Sequence, residues 1–227
     1  MVETRRQTAR GLALKHIAAG DALGWFEVLY AQADGDSSII PWADLTPNPH
    51  LVDWLDVTHI QGKGRKALMV GCGLGDDAEE LAQRGFQTTA FDISQTAISW
   101  CRRRHPHSLV AYFAADLYNA PKEWHGTFFL VVESYTLQVL PPDLRLKAIH
   151  CITKFLAPGG TLLVIARGRD LTEPEGKMPW PLTKEELTAI NDSGLKELSF
   201  EDYFDNEDPP IRRFRAAYRR ETDRHDP

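Results

Sequence analysis

The stretch that most constrains the fold runs from Lys66 to Ala82, where the apolar residues Ala67-Leu68-Met69-Val70 lead into Gly71-Cys72-Gly73-Leu74-Gly75-Asp76-Asp77. A short apolar run stopped by glycine has the character of a strand buried on both faces of a parallel sheet. The alternating glycines lack a Cβ, so the backbone can turn sharply and approach a ligand closely. Asp76 and Asp77 then open a helix at its positive end, where the dipole favours carboxylates and where Asp can cap free amides. Strand, glycine turn and helix together open an α/β sheet whose ligands bind beyond the carboxyl ends of the strands.

The same two aspartates bear on the ligand. A pyrophosphate seeks a bare helix N-terminus, and two carboxylates there repel it. A ligand carrying a sulfonium, an ammonium and a ribose is not repelled, so S-adenosylmethionine fits and NAD fits poorly. A second strand, Gln87 to Phe91, ends at Asp92-Ile93-Ser94. Asp92 lies about 20 residues past the glycine turn, where a carboxylate accepts hydrogen bonds from ribose hydroxyls.

Val70-Gly71-Cys72-Gly73-Leu74-Gly75, followed by Phe91-Asp92-Ile93-Ser94-Gln95-Thr96-Ala97-Ile98, resembles the class I S-adenosylmethionine-dependent methyltransferases. Within that class the chain is most similar to the branch of thiopurine S-methyltransferase and the thiol and halide methyltransferases. Many class I members carry an acid two positions before the first glycine; here Met69 stands there, a departure often met in the thiopurine-like branch. It removes one contact to the methionine amino group. The resemblance implies an α/β, Rossmann-like fold with a seven-stranded, mostly parallel sheet, helices on both faces and an N-terminal helical cover. One domain, 1–227, is expected, with 1–60 as cover and 61–227 as core.

The chain order agrees with that expectation. Helices are expected over Thr4–Ala19, Ala22–Ala31 and His50–Leu55, with a proline-bearing loop from Gly35 to Pro49. The remaining strands are expected at Val110–Phe113, Thr127–Val132, Thr161–Ala166, Leu195–Tyr203 and Ile211–Tyr218, the last two antiparallel. Between them, Ser94 caps a helix to Arg104, Pro141-Pro142-Asp143 opens another to Leu156, and Thr183-Lys184-Glu185-Glu186 fits a capping box. Ala157-Pro158-Gly159-Gly160 reads as the turn into the fifth strand. The arginines Arg212, Arg213, Arg215, Arg219 and Arg220 read as a strand with one wet face, and Glu221–Pro227 as a frayed end.

Cofactor contacts are expected from Gly71, Cys72, Gly73, Gly75, Asp92 and Ile93. The resemblance adds Asp116 and Leu117 at the adenine, after the third strand, and Trp42 of the cover at the methionine end, where an aromatic face attracts a sulfonium. Glu133 stands at the carboxyl end of the fourth strand, with three roles open: holding the cofactor's cationic end, acting as a base, or binding a cationic acceptor. Glu133 and Tyr135 are the catalytic candidates. Trp25, Tyr135, Arg167 and Trp180 are candidates for the acceptor site, and Arg169 lies in the same insertion, which borders the active face. None of the eight histidines is assigned as a base, and His105, His107 and His125 read as turn residues.

Composition excludes some classes. The 227 residues carry a formal net charge of -6, which argues against broad capture of nucleic acid, so Arg102-Arg103-Arg104 reads as a solvated helix end. No apolar run approaches the ~20 residues of a membrane span. The polar, basic start lacks a secretory core, and three widely spaced cysteines suit a reducing compartment; a cytoplasmic location and no metal are expected. The expected function is methyl transfer from S-adenosylmethionine to a small-molecule acceptor, a thiol, halide or related soft nucleophile, leaving S-adenosylhomocysteine. A cofactor-binding module serving a partner protein and an NAD-binding oxidoreductase are the alternatives. A nucleic-acid methyltransferase is a lesser one, because Glu133-Ser134-Tyr135-Thr136 is not an Asn-Pro-Pro-Tyr-like motif. Monomer and homodimer remain open.

Overall fold

The computed structural model describes the backbone of residues 2–222 and the side chains of residues 5–222. Most of the terminal stretch Glu221–Pro227 lies outside the described residues.

The strands are β1 (Lys66–Val70), β2 (Gln87–Asp92), β3 (Ala111–Ala114), β4 (Phe128–Ser134), β5 (Leu156–Arg167), β6 (Leu195–Phe204) and β7 (Arg212–Arg220). They form one sheet in the order β3-β2-β1-β4-β5-β7-β6. β1 to β5 are parallel, and β7 joins β5 and β6 antiparallel. The order reverses between β1 and β4, which opens a crevice at the carboxyl ends of those strands.

The helices are α1 (Val2–Ala18), α2 (Gly24–Ala33), α3 (Pro49–Thr58), α4 (Asp76–Gln83), α5 (Gln95–Arg104), α6 (Pro142–Lys154) and α7 (Lys184–Asp192). Alternation along β1 splits the interior. Leu68 and Val70 join Ala148, Ile152 and Leu187 of α6 and α7 on one face, whereas Ala67 and Met69 join residues of α3, α4 and α5 on the other. α3 therefore belongs to a layer of the sandwich, although its position in the chain groups it with the cover. α1 and α2 form that cover with a third apolar cluster, which includes Trp25, Leu29, Tyr30 and Ile40 and reaches Leu74 and Trp100 of the core.

Two local expectations change. The turn Ala157–Gly160 lies inside β5 as a bulge: Leu156 pairs with Phe128, and the register resumes only at Thr161–Leu130. A side chain on Gly160 would lie 2.8 Å from the carbonyl oxygens of Phe128 and Ala157, so the bulge can close only around glycine. β7 has no simple wet face, because Arg213 and Arg215 are buried. Arg213 pairs with Asp205 at 2.6 Å, and Arg215 with Glu201 at 2.7 Å and Asp53 at 2.6 Å. Buried guanidinium groups persist where carboxylates satisfy them. The capping box of α7 forms as expected between Thr183 and Glu186.

Candidate functional site

A cleft of about 640 Å³ opens at the reversal point, between the strand ends and the cover. That is the size and place expected of a small-molecule site. The glycine turn forms its floor. Gly71 has φ +60°, and a Cβ there would fall 2.4 Å from Thr136 Oγ1, whose hydroxyl donates to the Val70 carbonyl at 3.2 Å. The loop after β4 is thereby seated against the end of β1.

Asp92 stands at the end of β2 beside this turn. Its carboxylate accepts from the Gly73 amide at 2.9 Å and from the Ser94 amide at 2.9 Å. Those two bonds leave acceptor capacity free. Burial raises the carboxyl to about 6, against the opposing pull of these amides. Glu27 of the cover braces the next residues: its carboxylate accepts from the Ser94 hydroxyl at 2.6 Å, the Thr96 hydroxyl at 2.6 Å and the Thr96 amide at 3.1 Å. Sequence reasoning missed Glu27, although a single acid within Gly24-Trp25-Phe26-Glu27-Val28-Leu29-Tyr30 is itself a signal.

Trp42 lies across the turn, 3.8 Å from where a Cβ on Gly73 would stand, and its indole N–H donates to Tyr30 Oη at 2.8 Å. One ring is thus fixed beside the glycine turn on the cover side of the cleft. Cys72, Ile93, Leu117, Tyr135 and Arg167 line the same cleft.

The two helix-opening aspartates behave differently from their sequence reading. Neither caps α4, whose N-cap is Gly75. Asp76 is held bidentately by Arg104 at 2.7 and 3.0 Å, so one of the two charges that would repel a pyrophosphate is cancelled. Arg104 is correspondingly more than a solvated helix end. Asp77 faces the cleft, accepts from the Asn48 amide at 2.6 Å, and is raised by burial to about 6. Asn48 also donates from Nδ2 to Ser134 Oγ at 2.9 Å and caps α3 through Oδ1, which ties the cover loop to β4.

Five expected site residues stand outside the cleft lining. Gly75 directs its missing Cβ toward Tyr112 Oη, 2.5 Å away, so it serves the packing of α4. Asp116 closes a turn, accepting from the Tyr118 amide at 2.9 Å and from Asn119 Nδ2 at 2.6 Å. Trp25 is fully buried in the cover and stacked on Phe26 at 3.9 Å between ring centroids. Trp180 packs against the cover cluster, with its amide on the Gln138 carbonyl at 2.7 Å. Glu133 is 0% exposed because β4 continues past it to Ser134. Its Oε1 turns back under the chain to accept from the Thr136 amide at 2.6 Å and the Leu137 amide at 2.8 Å, and its Oε2 has no partner. Burial raises this carboxyl to about 7.

Tyr135 takes a left-handed backbone, φ +65°, at the edge of the cleft, a strain that tends to mark functional loops. The Arg213 guanidinium sits over its ring at 5.0 Å. His50, missed in the sequence because it reads only as a helix start, faces the cleft from α3. Its Nδ1 lies 2.8 Å from Tyr203 Oη, and burial, with Arg213 nearby, lowers its pKa. Among the described residues no cluster of potential metal ligands occurs, and no helix is long and apolar enough to cross a membrane.

Comparison with known proteins places this site in context. Residues 67–160 match the model of a family described as a methyltransferase domain. The chain is 26% identical over 153 residues to 2-heptyl-1-hydroxyquinolin-4(1H)-one methyltransferase of Mycobacteroides abscessus, covering 66% of each chain. It is 30% identical over 140 residues to ubiquinone biosynthesis O-methyltransferase of Pseudomonas aeruginosa, covering 60% of this chain and 58% of that one. The chain thus spans from 58% to 66% of the length of these curated relatives. Among solved structures, the N-methyltransferase NodS of Bradyrhizobium japonicum, bound to S-adenosylhomocysteine, superposes with TM-score 0.64 at 21% identity, over 85% of this chain and 98% of that one. A protein from the study of disulfide-to-thioacetal conversion in echinomycin biosynthesis superposes with TM-score 0.68 at 20% identity, over 88% and 93% of the two chains. The fold is the Rossmann-like methyltransferase fold.

Proposed function

We propose that this chain is an S-adenosylmethionine-dependent methyltransferase acting on a small molecule. The observation that carries the reading is Asp92, pinned to the Gly73 amide at the mouth of the glycine turn with acceptor capacity to spare. The methyltransferase-domain match and the names of the relatives support it.

The donor set suits the cofactor. Asp92 would accept from ribose hydroxyls, Ile93 and Leu117 would flank the adenosine, and Trp42 would offer a π-face to the sulfonium. When bound, S-adenosylmethionine supplies a cationic sulfur whose methyl group is open to displacement by a nucleophile. The chain's own contribution is alignment and exclusion of water. Trp42, held from behind by Tyr30, closes one wall, and Tyr135 and Thr136 shape the passage toward β5.

A soft acceptor, a thiol or halide as in the thiopurine-like branch, needs no strong base and remains the finer reading. The chemistry named for the echinomycin protein, conversion of a disulfide to a thioacetal, accords with a sulfur acceptor. A second reading, an oxygen acceptor, is favoured by His50 and by the O-methyltransferase names. If Nδ1–H donates to Tyr203, the Nε2 lone pair is available to take a hydroxyl proton.

Calorimetric titration with S-adenosylmethionine, S-adenosylhomocysteine and NAD, then labelled-methyl transfer to thiols, halides and phenols, tests the proposal. Binding of both adenosyl ligands with transfer supports it. Binding without transfer shifts weight to a partner-serving module, and binding of NAD alone refutes it. Loss of phenol but not thiol methylation in His50→Gln would select the oxygen reading.

A further inference from the structure

The acceptor end of the cleft carries a cation that no carboxylate among the described residues pairs with. Arg167, the last residue of β5, is locked by its backbone: its amide donates to Gln138 Oε1 at 2.7 Å and its carbonyl accepts from the Leu182 amide at 2.8 Å. Its register partner across the sheet is Arg213. Arg213 is satisfied by Asp205 at 2.6 Å and Glu207 at 2.5 Å. Arg167, half-buried and lining the cleft, has no carboxylate within 4.0 Å and no side-chain hydrogen bond among the described residues. Of the other acids at this end, Glu207 is committed to Arg213, and Asp44 is exposed without an ion pair among the described residues. Burial, with Arg213 and Arg6 nearby, lowers the Arg167 pKa, although Glu207 and Tyr135 pull the other way, and no carboxylate of that cluster bonds the Arg167 guanidinium directly. Leaving a half-buried guanidinium without a bonded acceptor costs free energy unless an anion joins it.

Position argues which anion. β5 lies two strands from β1 and three from β2, so Arg167 stands about 10 Å from the glycine turn and farther from Asp92. The cleft lining joins charged groups at this end, Arg6, Glu207 and Arg213, to the apolar Val139, Met178 and Pro179 and the ring of Tyr135.

We infer that Arg167 reads a carboxylate on the methyl acceptor, so that the acceptor is an acid with an apolar body. This rests on the proposed methyltransferase function. A planar fork of donors matches a carboxylate bidentately, whereas a neutral amide would leave the guanidinium uncompensated. The cofactor's own methionine carboxylate is the competing occupant.

The test uses the full chain. S-Adenosylhomocysteine is titrated first into the unsubstituted protein and into Arg167→Gln and Arg167→Lys. The saturated complexes are then titrated with benzoate against benzamide and with octanoate against octanamide. The expected result is at least a tenfold preference for the acid in one pair or both, abolished in Arg167→Gln and partly kept in Arg167→Lys. S-Adenosylhomocysteine affinity should change by less than about twofold, which also certifies folding. Absence of preference in the unsubstituted protein, or its survival in Arg167→Gln, overturns the inference. A tenfold loss of S-adenosylhomocysteine binding in Arg167→Gln overturns it too, assigning Arg167 to the cofactor. Failure of the unsubstituted protein to bind S-adenosylhomocysteine is read in the first titration and removes the underlying function, and the inference with it.

Discussion

Replacing Asp92 by Asn probes the proposed ribose contact most directly. The carboxylate takes the Gly73 and Ser94 amides on separate oxygens, each at 2.9 Å. Asn has one carbonyl oxygen, so one of those amides would face an NH2 group, and the ribose hydroxyls would lose a charged acceptor. A lost hydrogen bond to a charged group corresponds to about 1.5–3 kcal/mol, or roughly 10- to 150-fold weaker binding of S-adenosylhomocysteine at neutral pH. The pH dependence adds an independent signature. Burial raises Asp92 to about 6 in the free protein. The ionised form, which accepts the hydroxyls, predominates near pH 7.5 and falls to roughly a tenth near pH 5. Affinity should therefore drop about tenfold on acidification, and Asp92→Asn should lose that limb. Asp77, also raised to about 6 and facing the cleft, is the control: Asp77→Asn should retain the limb. Calorimetry at the two pH values measures all three proteins. Equal affinity of the folded Asp92→Asn variant and the native protein near pH 7.5, or an undiminished acid limb in that variant, refutes the reasoning.

Glu133→Gln should change the pH dependence of stability. The folded carboxyl is raised to about 7 from an ordinary value of 4.5, so its contribution is full below the unfolded pKa and is lost as pH rises through the folded one. The native protein should lose up to roughly 3 kcal/mol relative to the variant between about pH 4.5 and pH 8; a constant difference in denaturation free energy across that range would sink the assignment. Trp42→Ala should weaken S-adenosylmethionine binding more than S-adenosylhomocysteine binding, by about 0.5–2 kcal/mol, because only the former carries the sulfonium. Equal losses would make Trp42 a packing residue. Gly71→Ala, with φ +60° and a Cβ 2.4 Å from Thr136 Oγ1, should destabilise the fold by about 1–3 kcal/mol, and an unchanged melting temperature would contradict the contact.

The local pattern marked the elements of the sandwich, and the family resemblance implied their assembly: apolar runs of strand length, glycine after β1, an acid after β2 and caps before α5 and α7 are short-range signals that follow from backbone geometry. Their spacing also placed Asp92 and the glycine turn at the same strand ends. What the sequence could not decide was where each charge would find its partner. Asp76 meets Arg104, separated by 28 positions, and Arg215 meets Asp53, separated by 162. Glu27 braces Ser94 across 67 positions. Glu133 was legible as a strand-end acid but not as a buried staple, because only the continuation of β4 and the turn behind it aim its carboxylate inward. Secondary structure is set by neighbours along the chain, whereas the protonation, pairing and direction of a side chain are set by whatever the fold brings against it.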